Sequence, residues 1–382
     1  MSVLFVTNGH GEAAIGARIA RDVRALGLDV DHFPLVGTGF EAPSFPEIGP
    51  RERLPSGGLV AMGNVGNFAR DLRAGFLRLL RRQRAFLRAS AGRYAVVVAV
   101  GDVYALAMAY CARTPTVFVG TAKSDYVAPY GWLERRFMRR AAVRFVRDER
   151  TAGALRARGL SATAANVIVD LASDAGAYPW PSGAERLVLL PGSREDGYGD
   201  AVLLLRVVRL VALERPVYAM LSIAASLDPA RMACALEDDG WTITPGADDE
   251  PFVASLEGKP FATAWRGDIS ALFPGATLAL GQAGTANEAA AASGLPVVAL
   301  ETRRSGREGW YRMRQAGLLG AALDIVPGDP AQAAASILRL LGDPARRAEM
   351  GATGRARMGP AGAAVQVARA IAELAARGHG DV

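Results

Sequence analysis

The chain has 382 residues, 51% of them hydrophobic and 21% charged, a globular composition that excludes a largely disordered protein and allows two or three domains. Its 43 glycines follow no Gly-X-Y period, its two cysteines exclude a disulfide scaffold or a Cys-rich zinc module, and its three histidines leave little for a His-based metal site. The net charge is +6, and all but two of the 44 basic residues are arginine, the better fork for phosphate and carboxylate; a coding bias toward Arg and an anionic partner are both open as its cause.

The first residues, Met1 to Val6, are apolar, lack a basic stretch and run into Thr7-Asn8-Gly9, which reads as a first strand and not as a signal peptide. No run reaches the ~18 apolar residues of a membrane-spanning helix. A cytoplasmic protein is expected. Strands are predicted at 3–7, 29–33, 95–100, 116–119 and 143–146, with a weaker one at 164–167. They are apolar on both faces, as buried parallel strands are. Helical stretches at 12–26, 68–90, 132–140 and 149–158 lie between them. Residues 177–183 hold two Pro and one Gly without periodicity and read as a linker. The alternation then restarts, with strands at 186–190, 217–221, 241–244, 261–264, 278–280, 297–300 and 322–326 and helices such as 199–213 and 287–292. The expected fold class is therefore α/β, with two doubly wound parallel sheets: a first domain over 1–176 and a second over 184–358. An Ala-rich amphipathic helix in 359–382 would pack back on the first.

Ligands of such sheets bind at the carboxyl ends of strands, beside helix N-termini, so a few loops carry the chemistry. The first is Thr7-Asn8-Gly9-His10-Gly11-Glu12, where two glycines permit close backbone approach and His10 and Glu12 open the next helix. It is a tight turn or a catalytic pair; a neutral histidine is a suitable general base. The second is Gly101-Asp102-Val103-Tyr104, whose Asp102 is either a helix cap or a cleft carboxylate. The third, Leu190-Pro191-Gly192-Ser193-Arg194-Glu195, joins a sharp turn at Gly192 to the Ser193 hydroxyl and the Arg194 fork. The fourth, Gly281-Gln282-Ala283-Gly284-Thr285-Ala286-Asn287-Glu288, would cradle a diphosphate on backbone N–H groups, with Glu288 one turn further on for ribose hydroxyls.

Two further features are weaker. Gln315 could hydrogen-bond a base or a sugar. Residues 70–93 carry eight arginines among Phe and Leu side chains, either a plain amphipathic helix or a basic surface for anionic lipid, which Trp132 and the arginines at 135, 136, 139 and 140 would extend. Asp29-Val30-Asp31 lies inside a predicted strand and reads as structural, so no metal site is expected. No phosphate-loop Gly-Lys-Ser/Thr motif, Gly-x-Ser-x-Gly elbow or His-Glu-x-x-His occurs.

The Leu190-Pro191-Gly192-Ser193-Arg194 string, the Gly281–Glu288 loop and the following Gly294-Leu295-Pro296-Val297-Val298 together resemble a GT-B glycosyltransferase. More narrowly the chain resembles lipid-A-disaccharide synthase, in its divergent related branch, over nearly its whole length. In that family the first loop reads Gly-Glu-Ala-Ser-Gly-Asp; here Gly11-Glu12-Ala13-Ala14-Ile15-Gly16 lacks the Ser and the Asp. The family's Asp-x-Pro-Asp-Phe-Asn loop is reduced here to Gly101-Asp102-Val103-Tyr104.

The resemblance implies two Rossmann-like domains facing a cleft. It implies a UDP-sugar donor in the C-terminal half, with Gly192, Ser193 and Arg194 on its diphosphate side and Gly284, Thr285 and Glu288 on diphosphate and ribose. Gly281, Gln282 and Gln315 are expected in the same site from their place in the loops. A lipid or lipid-linked acceptor would sit in the N-terminal half. The implied reaction is metal-independent transfer of an N-acetylglucosamine-type or other hexose, with His10, Glu12 or Asp102 as base and no cofactor besides the donor. The protein would sit in the cytoplasm, peripheral on the inner membrane face if the 70–93 surface docks there. Two alternatives stay open. One is a UDP-N-acetylglucosamine 2-epimerase, to which Asn166-Val167-Ile168-Val169-Asp170 is weakly similar although a His-Arg-Arg-Glu-Asn-like loop is missing. The other is a non-catalytic nucleotide- or nucleic-acid-binding protein. Phe76 and Phe86 are few as stacking platforms, so no nucleic-acid partner is expected.

Overall fold

Strands form where β-branched and apolar residues run together, and Val96–Gly101, a Val-Val-Val-Ala-Val-Gly segment, is buried at every position. The computed structural model describes residues 1–36, 45–52, 75–171, 176–301 and 306–377. The predicted helical start at 68–74, with Arg70 and Arg73, lies outside the described residues. The chain divides into two compact units, Met1–Asp170 with Ala361–Val382, and Leu171–Pro360.

The first unit runs β1 (Ser2–Thr7), α1 (His10–Ala25), β2 (Asp29–Pro34), α2 (Phe76–Ala89), β3 (Val96–Gly101), α3 (Val103–Ala109), β4 (Thr116–Gly120), α4 (Trp132–Met138), β5 (Val143–Val146), α5 (Glu149–Arg156), β6 (Thr163–Ala164) and α6 (Val167–Asp170). The six strands are all parallel, in the order β2-β1-β3-β4-β5-β6. Alternate residues serve two cores. Leu4, Val6, Val97, Ala99 and Phe118 meet Leu87, Leu106, Met138 and Leu155 from the helices on one face. The strand predicted at 164–167 is shorter than expected. It pairs only at Thr163 and Ala164, because β6 is an edge strand with β5 as its one neighbour, and the chain turns into α6 from Val167.

The second unit runs β7 (Glu185–Leu190), α7 (Gly197–Ala212), β8 (Val217–Ser222), α8 (Pro229–Glu237), β9 (Thr242–Ala247), β10 (Glu250–Leu256), β11 (Lys259–Trp265), β12 (Leu278–Gly281), α9 (Thr285–Ser293), β13 (Val297–Glu301), α10 (Gly306–Leu319), β14 (Leu323–Pro327), α11 (Pro330–Leu341) and α12 (Pro344–Met358). Its sheet order is β14-β13-β12-β7-β8-β11-β10-β9. The expected wholly parallel sheet is corrected at one edge. β10 runs antiparallel to both β9 and β11. Sequence periodicity misses it because Asp248-Asp249-Glu250-Pro251, which opens the strand, reads as a turn. Helices α8, α11 and α12 each begin at an Asp-Pro pair, with the Asp228, Asp329 and Asp343 carboxylates accepting from first-turn N–H groups. The segment read as a linker is tied to this unit. The Tyr178 N–H donates to the Ala271 carbonyl (2.8 Å), the Trp180 Nε1–H to the Leu272 carbonyl (3.2 Å), and the Tyr178 ring packs edge-on against Trp265.

The last helix, α13 (Ala363–Arg377), packs on α1 and α6 of the first unit. Asp170, 2% exposed at the end of α6, accepts from the Gly362 N–H (2.6 Å) and the Ala364 N–H (2.5 Å). The cap of this helix is thus supplied by a residue more than 190 positions earlier in the sequence. No helix among the described residues is long and apolar enough to cross a membrane.

Candidate functional site

Each sheet has one point where strand order reverses, and the loops there are the natural ligand sites of a doubly wound fold. In the first unit that point lies between β1 and β3, which pair from Val3–Val96 to Thr7–Val100. The loops that leave them are the ones carrying His10, Glu12 and Asp102. Asp102 caps α3, accepting the Ala105 N–H at 3.0 Å, and it also takes a hydrogen bond from Asn8. Gly101, at φ +131°, makes the sharp exit from β3. A Cβ there would sit 3.2 Å from the Glu12 Cγ and 3.5 Å from the Asn8 Cβ, so the two loops are in contact. Burial pushes the Asp102 carboxyl up, against the lowering effect of its bonds to Ala105 and Asn8. A raised carboxylate at a strand end is suited to taking a proton near neutral pH. His10 is the first residue of α1; its side chain lies outside the described residues. His32 is a different case. It is fully buried, hydrogen-bonded to Thr7 (2.8 Å), stacked on Phe45, and lowered to about 3, first by burial and then by Arg51, so it stays neutral.

In the second unit the reversal lies between β7 and β12, paired from Leu187–Leu278 to Leu190–Gly281. The Leu190 carbonyl accepts from both the Gln282 N–H (2.8 Å) and the Ala283 N–H (3.1 Å), which straps the two glycine-bearing loops together. Gly192 has φ +107°, and a Cβ on it would lie 3.9 Å from the Ala283 Cα. Ser193 is half-buried and its carbonyl accepts from the Ser226 hydroxyl (2.7 Å). Arg194 is exposed. The next residue, Glu195, pairs with Arg231, whose guanidinium lies 4.3 Å over the Tyr198 ring.

Gly284 is the N-cap of α9 and offers no side-chain cap, so the first-turn amides are not met by a capping side chain. Thr285 and Glu288 are half-buried on that turn, and Glu288 suits the positive end of the helix. The two glutamines are placed differently from a ligand contact. Gln282 bonds both ways to the Leu300 backbone, at 3.2 Å each. Gln315, 4% exposed, donates to the carbonyls of Ala283 (3.0 Å) and Gly284 (3.4 Å). Its Oε1 accepts from Asn287 (3.3 Å) and Arg312 (3.1 Å). Both glutamines therefore act inside the loop. Sequence reading passed over Asn287 and Arg312; the one available signal was an Arg three residues before Gln315 on the same helix.

Helix α9 is seated on α12 through glycines. A Cβ at Gly354 would stand 3.0 Å from the Ala291 carbonyl carbon, and one at Gly351 3.2 Å from that of Gly294, backbone atoms that do not yield easily. Gly354→Ala should cost about 1–3 kcal/mol by overpacking. Thermal unfolding of the variant checks this, and a melting point unchanged from the parent would contradict the close packing. Among the described residues no group of His, Cys, Asp and Glu has the arrangement of a metal site.

No family model and no curated protein matches the sequence. Solved structures match its fold. S. aureus MnaA, solved with UDP, superposes at a TM-score of 0.62 with 10% identity over 97% of this chain and 96% of that one. The glycosyltransferase SnogD from Streptomyces nogalater gives 0.54 and 17% identity over 98% and 99% of the two chains. The UDP-GlcNAc 2-epimerase from Neisseria meningitidis, bound to UDP-GlcNAc, gives 0.52 and 12% over 99% and 100%. The expected fold is thereby established. The chain has the two-sheet GT-B architecture of glycosyltransferases and UDP-GlcNAc 2-epimerases.

Proposed function

We propose that this chain is a hexosyltransferase that uses a UDP-sugar donor, with a lipid or lipid-linked acceptor. The observation that carries this reading is the second unit's reversal point. There the loop that carries the positive-φ Gly192 and exposed Arg194 and the loop that leads to a helix start without a side-chain cap leave the carboxyl ends of two adjacent strands. That arrangement suits an anionic leaving group, and structures of the same fold bind UDP and UDP-GlcNAc. In the proposed reaction a base of the first unit removes the acceptor's hydroxyl proton. The oxygen attacks the sugar's anomeric carbon, and the bond to the diphosphate breaks with its electron pair leaving on UDP. Arg194 and the amides at Gly284 and Thr285 stabilise the charge that develops, a role typically worth ~3–4 kcal/mol per donor. The reaction needs no metal in this scheme.

The first unit would take the acceptor. Its helix α2 exposes Leu77 beside Arg78, Arg81, Arg82, Arg84 and Arg88, and Trp132 at the start of α4 is 71% exposed. These fit a peripheral contact with anionic lipid on the cytoplasmic membrane face.

A thermal-shift panel with UDP, GDP, ADP and dTDP tests the donor. UDP at ~100 times its dissociation constant adds ~2.7 kcal/mol. A shift with UDP alone is expected, and turnover of a UDP-sugar should vanish in both Arg194→Ala and Glu288→Ala with folding retained. Full activity in both variants, or no shift with any nucleotide, overturns the reading. The second reading is a UDP-GlcNAc 2-epimerase, favoured by the likeness to the Neisseria enzyme. Epimerised UDP-sugar formed without any acceptor would establish it.

A further inference from the structure

The buried cluster behind the α9 start is larger than the loop it touches. Arg312 of α10 is 8% exposed, and its guanidinium donates to Gln315 Oε1 (3.1 Å) and the Gly281 carbonyl (3.4 Å) and meets Gln282 Oε1. Asn287 is fully buried; its Nδ2 donates to the Gly281 carbonyl (3.1 Å), and its Oδ1 has no hydrogen-bond partner. Three carbonyls of the turn, those of Gly281, Ala283 and Gly284, are thus drawn inward by Arg312, Asn287 and Gln315. A trans peptide is planar, with its C=O and the following N–H pointing opposite ways. Carbonyls of Ala283 and Gly284 held inward therefore turn the Gly284 and Thr285 amides outward, at the positive end of α9.

We infer that Arg312 is a positioning residue for anion binding. Acting with Gln315, it holds two peptide planes so that the Gly284 and Thr285 amides meet the phosphate groups of a diphosphate ligand. The inference rests on the donor-site reading above only in naming a diphosphate. It differs from a plain stabilising role because its effect is confined to one part of the ligand, the phosphates that the two amides meet, and leaves the nucleoside alone. A buried Arg with planar, forked donors also suits several carbonyls at once better than a Lys point charge does.

The test compares UDP, inorganic pyrophosphate and uridine on the full chain, with affinities from NMR titration. Arg312→Met and Gln315→Met should each weaken UDP and pyrophosphate by about tenfold or more, as expected when amide hydrogen bonds to a charged group lose their alignment. Uridine should bind as it does to the parent. Arg312→Lys, the milder change if Arg312→Met does not fold, should fall between. In the parent, pyrophosphate should shift the Gly284 and Thr285 amide resonances more than others of α9. Equal loss of UDP and uridine would make Arg312 merely a part of the fold and overturn the inference, as would unchanged pyrophosphate affinity. Pyrophosphate binding with UDP no tighter would leave the inference standing while removing the UDP-sugar reading. Absence of pyrophosphate binding in the parent would remove the inference itself.

Discussion

Asp170→Ala is expected to release α13 from the first unit and lower its stability by about 3–5 kcal/mol. The estimate comes from two hydrogen bonds to one carboxylate, at 2.6 and 2.5 Å, each worth ~1.5–3 kcal/mol when the acceptor is charged. Their loss also leaves the buried Ala364 amide without the acceptor it now has, while the amide of exposed Gly362 can turn to water. The apolar stripe of α13, with Val367, Ala368, Ile371 and Ala375 buried, depends on that cap for its seating. For a unit of this size each kcal/mol moves the melting point by roughly 2–4 °C, so a drop of about 10 °C is expected. Asp170→Asn keeps one acceptor oxygen and should lose about half as much. Differential scanning calorimetry reads the drop. Proteolysis near Gly359 to Gly362, faster in the Ala variant, reads the release of the helix. An Ala variant that melts with the parent and resists cleavage equally would mean the cap contributes little.

Much of the architecture was legible because burial on both faces writes itself as uninterrupted apolar runs. β3 and β4 are such runs, and so are β7 and β12. Legibility fell at the sheet edges, where one neighbour suffices. Edge strand β6 shrank to two residues; β10, one strand in from the edge, hid for another reason, the acidic residues and the proline at its start. Asp170 shows another limit. Its partners lie more than 190 residues away, and no local pattern marks a carboxylate that caps a distant helix. The site loops were legible as glycine turns after buried strands. The direction of their side chains was not. Gln315 looked like a sugar contact, yet its amide is consumed by the Ala283 and Gly284 carbonyls and by Asn287 and Arg312. Only the packing of α10 beneath the turn decides that, and packing is a tertiary fact. Asp102 had two readings, cap or cleft carboxylate, and the structure gives it the cap and places it against Asn8 and the Glu12 loop as well.

That double placement makes Asp102→Asn the sharpest test of the chemistry. Asn keeps an oxygen to accept the Ala105 N–H, so the cap survives. What changes is charge and proton affinity. Burial holds the Asp102 carboxyl above its ordinary value in the folded chain. The folded state therefore binds this proton more tightly than the unfolded state does. Stability from this group is fully present below the unfolded pKa and falls as pH rises toward the folded one, after which the loss is constant. At neutral pH the parent carries the whole loss and Asp102→Asn does not. The variant should melt above the parent at pH 7, with the gap closing in acid. Activity should move the other way. If Asp102 is the base, its loss should lower kcat by about 10²–10⁴-fold. The acidic limb of the parent's pH–rate profile should vanish with it. A variant that gains stability yet keeps kcat within about tenfold would pass the proton-taking role to Glu12 or His10. One that loses stability at neutral pH would contradict the buried, raised carboxyl itself.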